Sequence, residues 1–143
     1  MLSKKVLVSG LLLSVSGLTF ANQSCDDTAL HEDMSTLKTE MKSLAFDVKK
    51  DNYASAEERI DTIITVLRDA REETPYLFEE KGLSGDKLAA RQADYQSVID
   101  DTIAAFMALD GALEAKDSSK AKTMLGEIGN LRKKGHRAFK TDC

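Results

Sequence analysis

Apolar residues recur along this chain in four stripes of helical period. Leu30, Met34, Leu37, Met41, Leu44 and Val48 are spaced 4, 3, 4, 3 and 4 residues apart. Ala56, Ile60, Ile63, Leu67 and Ala70 repeat 4, 3, 4 and 3. A third stripe runs through Leu88, Gln92, Tyr95, Ile99, Thr102, Phe106, Leu109 and Leu113, with polar interruptions at Gln92 and Thr102. Ala121, Leu125 and Ile128 begin a fourth. Sustained 3–4 alternation marks helices packed at shallow angles, and strand-like alternation is scarce. The breaks between stripes agree. "KKDNYAS" offers Asp51, Asn52 and Ser55 as caps for a second helix, "TPYLFEEKGLSGD" holds the single Pro and two Gly, and "AKDSSKA" is a short turn with cap residues. The pattern predicts helices over about 27–50, 55–73, 86–115 and 118–140. Short connections favour antiparallel neighbours, so the expected fold is all-α: an antiparallel, up-down-up-down four-helix bundle with both termini at one end.

The start of the chain changes the picture. Lys4 and Lys5 precede an apolar run from Val6 to Leu18, and Thr19 and Ala21 stand at the −3 and −1 positions of a cleavage site. Residues 1–21 read as a secretory signal peptide and 22–143 as one domain, periplasmic once exported. Loss of Lys4 and Lys5 moves the formal charge from −4 to −6. An acidic domain of this kind excludes nucleic acid as the expected partner, and no later segment is apolar enough to span a membrane. No oligomerisation signal is present, so a monomer is expected. Cys25 and Cys143 lie close to the two mature ends, and in an oxidising compartment an even pair predicts a disulfide. That bond brings the termini together.

Candidate chemistry then narrows to a few side chains. The two histidines are His31 and His136. Neither has Glu three residues before it, which excludes the Glu-x-x-His di-iron pattern, and isolated cysteines exclude Cys/His zinc motifs. Met34 lies 9 residues after Cys25 and His136 lies 7 residues before Cys143. With the cysteines joined, the two sit at similar height on the first and last helices. His136 falls about 20° from Leu125 on the helical wheel and so faces the core. A thioether opposite a neutral imidazole suits haem iron. Gly126, Gly129 and Gly135 leave room for a flat ring near His136, and Arg132 is placed one turn earlier to meet a propionate. Two other readings remain. A haem-free exported bundle could serve as an adaptor or chaperone, and His31, Glu32 and Asp33 could capture copper or zinc.

Several segments together resemble the cytochrome b562 family of secreted haem-binding bundles. "HEDMSTLKTEMK" is similar to the family's first helix, "REETPYLFEE" to the end of its second, "VIDDTI" to part of its third and "NLRKKGHRAFK" to its last. The resemblance implies Met34 and His136 as axial ligands, and Arg132, Pro75, Leu88, Ile128 and Phe139 around the cofactor. Leu88 and Gln92 stand where the family's pocket is aromatic, and Gly135 replaces an aromatic residue before the ligand. The related cytochromes c′ attach haem through Cys-x-x-Cys-His; Arg132 and Gly135 hold those Cys positions here, so the implied cofactor is non-covalent haem b. With both axial positions filled, the implied role is outer-sphere electron transfer with a periplasmic redox partner, not enzyme catalysis.

Overall fold

The structure, a computed structural model, describes residues 24–143. The signal-peptide reading falls outside the described residues. A single 3-10 turn, Cys25–Asp27, leads into four long helices: α1 (Ala29–Lys49), α2 (Tyr53–Glu72), α4 (Gly85–Glu114) and α5 (Ser118–Phe139). A five-residue helix, α3 (Tyr76–Glu80), sits in the connection between α2 and α4. Consecutive long helices run antiparallel, giving the up-down-up-down bundle.

Local chemistry sets the helix ends. The Thr28 side chain accepts from the His31 backbone N–H at 3.2 Å, and Asp117 accepts from that of Lys120 at 3.0 Å, so each satisfies an orphan donor. Asn52 precedes α2 but makes no side-chain cap. It turns back with Ser55 to Asp47 instead. Helices α1, α3 and α4 end alike: the backbone N–H of Asn52, Leu83 and Asp117 returns to the carbonyl five residues earlier. Each such ending needs a residue at positive φ, here Asp51, Gly82 and Lys116.

Core packing is uneven around the bundle. α1 packs along α2, α2 along α4, and α4 along α5. α1 and α5 approach each other at only a few positions. Ile60, Ile63 and Leu67 of α2 and Ile99, Phe106, Leu109 and Leu113 of α4 are buried in one core cluster. On α1 the buried residues are Leu44, Asp47 and Val48, near its C-terminal end. Cys25 and Cys143 are joined with Cα atoms 5.7 Å apart, tying the start of α1 to the end of α5. No helix among the described residues is long and apolar enough to cross a membrane.

Candidate cofactor site

The groove between α1 and α5 has a direction that can be read on each helix. At the end away from the termini it forms a hollow of about 200 Å³, lined by Ala45, Val48 and Lys49 of α1, by Asp51 just beyond it, and by Ser118, Lys122 and Leu125 of α5. Met34 precedes Ala45 by eleven residues and His136 follows Leu125 by eleven. Eleven residues make three turns to within about 20°. Met34 and His136 therefore share these groove-facing lines, three turns nearer the disulfide. The neighbouring Asp33 turns toward α2, where burial, then Asp69 and Glu73, raise its pKa.

Packing distinguishes Met34 from its stripe. Leu30, Leu37 and Met41 are half-buried and rest against the buried core; Met34 is half-buried but outside that contact set. His136 is also half-buried. Desolvation lowers its pKa, with the Arg132 and Lys140 cations adding to the effect, which favours the neutral imidazole. A neutral ring keeps a lone pair for a metal.

The three glycines of α5 serve different ends. A Cβ on Gly135 would meet Val98 Cγ1 at 3.3 Å, so this glycine lets α5 approach α4 rather than making room for a ring. A Cβ on Gly129 or Gly126 would meet nothing within 4 Å. Gly129 lies seven residues before His136, about 20° off its line, and opens space on the groove side. These features fit a flat, apolar group bound by one thioether and one imidazole.

The remaining sequence candidates are spread around this end. Pro75 is fully buried and begins α3. Ile128 is buried on α5 and Leu88, half-buried, packs on the core from α4. Arg132 is exposed. Phe139 is engaged on the α4 side: its ring meets Tyr95 edge-on at 5.5 Å and Phe78 at 6.0 Å. Arg91 covers this cluster, with its guanidinium 4.9 Å from the Phe139 centroid, and donates to the Ala138 carbonyl at 3.0 Å. Sequence reasoning missed Arg91, because a lone arginine on the flank of a stripe gives no sign that it caps another helix. The tyrosine hydroxyl of Tyr95 donates to the Ala70 carbonyl, fastening α4 to α2 beside the same cluster.

The copper or zinc reading finds no support. His31 is exposed and lies 4.0 Å from Asp26. Among the described residues the one close group of three such donors is Cys25, Asp26 and Cys143, whose sulfurs are bonded to each other. The family model described as cytochrome b562 matches residues 29–140, nearly all of the bundle. No curated protein and no solved structure gives a match.

Proposed function

The chain belongs to the cytochrome b562 family, and on that premise we propose that it is a periplasmic b-type cytochrome carrying electrons on one non-covalent haem, with Met34 and His136 as axial ligands. The observation that supports this most is the shared register of two half-buried donors along the one long interface that packing leaves thin. Haem supplies one-electron chemistry at an iron whose potential depends on its ligands, its hydrogen bonds and its burial.

The chain's own residues prepare for that. Burial and nearby cations shift His136 toward its neutral form. Arg91, Phe139 and Tyr95 lock the last turn of α5 against α4, which fixes the rotation of His136. Met34 offers a soft donor free of other core duty. The disulfide keeps α1 and α5 in register where direct contact is sparse. Arg132 stands exposed one turn from His136, ready for a carboxylate. Residues 132 and 135 carry no thiol, so attachment is non-covalent.

Absorbance spectra of the exported protein after haem addition, oxidised and reduced, test the reading. Low-spin bands are expected. His136→Ala should lower haem affinity by about 100-fold or more, judged from losses of 10–100-fold when mere supporting residues are removed. Met34→Ala should retain haem with an altered, high-spin spectrum. A colourless protein, or a spectrum blind to both substitutions, rules the assignment out and leaves a haem-free exported bundle.

A further inference from the structure

α5 is charged against the rest of the molecule. It carries six Lys or Arg and one Glu, whereas α4 carries two and six. The helix dipole accounts for cations in a last turn. Arg132, Lys133 and Lys134 lie earlier.

Position on the wheel gives this charge a direction. Taking the Met34 and His136 lines as zero, Lys38, Lys42 and Lys49 fall about 40–80° to one side on α1. Lys122 and Lys133 fall about 40–60° from zero on α5. The hollow that Lys49 and Lys122 both line confirms that these two arcs face each other. The acids of the two helices, Glu32, Asp33, Glu40, Asp47 and Glu127, all turn about 100° or more away. Arg59 holds Glu40 and Asp47 against α2, so neither can neutralise the groove.

Ion pairing leaves this rim open. Arg59, Arg71 and Arg91, on α2 and α4, each hold a carboxylate. Among the described residues, Lys38, Lys42, Lys49, Lys122 and Lys133 hold none, and all five are exposed. In an acidic chain a rim on which lysines outnumber acids, Asp51 beside Lys49 and Lys122 being the acid that lines the same hollow, raises local attraction for anionic surfaces and steers encounter.

We propose that the cationic rim of the α1–α5 groove is a docking surface for an acidic face of a partner protein, the one that exchanges electrons with this chain. The partner's redox role rests on the haem reading; the charge complementarity does not. A lipid surface fits less well. An interfacial helix inserts apolar side chains beside its cations; of the exposed large apolar residues described, Phe46 lies about 120° round α1 from the Met34 line, beyond the cationic arc, and Met107 lies on α4.

Binding of haem-free protein to immobilised poly-L-glutamate tests the surface without the cofactor. Retention is expected at about 0.01 M ionic strength and release by about 0.1 M, as the screening length falls from roughly 30 to 10 Å. The triple variant Lys38→Glu, Lys122→Glu, Lys133→Glu should bind at least about tenfold more weakly. The same charge change elsewhere, Arg68→Glu, Lys81→Glu, Lys87→Glu, should cost under about twofold. Far-UV circular dichroism establishes that both variants are folded. No retention of the wild type, equal losses in the two triples, or tighter binding to phosphatidylglycerol vesicles overturns the proposal. With haem bound, reduction by an acidic plant-type ferredoxin should slow in the rim variant while reduction by a neutral quinol does not; equal slowing overturns it too. A protein retained on poly-L-glutamate that takes up no haem overturns the redox role of the partner and upholds the acidic-face assignment.

Discussion

At the end of the bundle away from the termini, α1 supplies Leu44 and Val48, α2 Ala56 and Ile60, α4 Leu109, Ala112 and Leu113, and α5 Ala121, all of them buried. At the end that holds the termini, α1 supplies Leu30, Met34 and Leu37, none better than half-buried. The other helices do not loosen there: Leu67, Ala70, Phe78, Tyr95 and Phe139 remain buried. The opening is therefore one-sided. One end is closed by packing and by the Arg59–Asp47 ion pair at 2.6 Å. The other is closed on the α1 side by a covalent bond, which constrains position without filling volume. A site that must accept a bulky group benefits from that substitution.

If the disulfide stands in for packing, removing it should have the largest effect. The cysteines are 118 residues apart, a separation for which chain-entropy estimates give roughly 4–5 kcal/mol. Cys25→Ser with Cys143→Ser should lower the denaturant midpoint strongly. Amide exchange should accelerate first in the N-terminal half of α1. Uniform acceleration over all four helices would mean that the two ends are not held by different means.

Truncation of one leucine at each end sharpens the contrast. Leu109→Ala removes a fully buried side chain and should cost about 2–5 kcal/mol. Leu37→Ala removes a half-buried one and should cost about 1 kcal/mol without cofactor. The ranking for haem retention should reverse, with Leu37→Ala the more damaging. Equal stability losses in urea titrations would sink the distinction.

A smaller effect separates the ends by pH. Hydrogen bonds from Arg59, Ser55 and Asn52 hold the Asp47 carboxyl below its ordinary value of 3.8. A depressed native pKa stabilises the fold at pH above the unfolded value, and that contribution disappears as pH falls through the native one. The stability gap between wild type and Asp47→Asn should therefore be widest near neutrality and narrow below about pH 4. The haem spectrum of Asp47→Asn should match wild type, since the ion pair lies at the other end. A gap that stays constant down to acid would remove the linkage.

Much of this architecture is written in the one-dimensional pattern. The four predicted helices agree with the observed ones to within about two residues, because each stripe is long and each break carries cap or turn residues. α3 was not legible: Tyr76–Glu80 is one turn between Pro75 and Gly82, too short for any period to emerge. The cysteine bond was legible from the position of its two residues near the ends of the chain. The Arg91 cap on Ala138 and the Gly135–Val98 approach were not, since both depend on how two helices are rotated against each other. For the same reason sequence alone grouped three glycines that the fold separates.

Those glycines supply the finest test of the open end. Glycine inside a helix costs roughly 0.5–1 kcal/mol relative to alanine, and a methyl at Gly129 or Gly126 would touch nothing. Gly129→Ala and Gly126→Ala should therefore each stabilise the cofactor-free bundle by a similar, small amount. They should differ once haem is added. Residue 129 lies almost on the His136 line, while residue 126 is turned about 80° from it. A methyl at 129 occupies space on the ligand side of α5, and one at 126 does not. Gly129→Ala should thus gain stability without haem and lose haem affinity, whereas Gly126→Ala gains the first and keeps the second. Thermal melts of both variants with and without haem read the two signs together. If both variants keep full affinity, the space beside residue 129 is not used by the cofactor, and the open end needs another explanation.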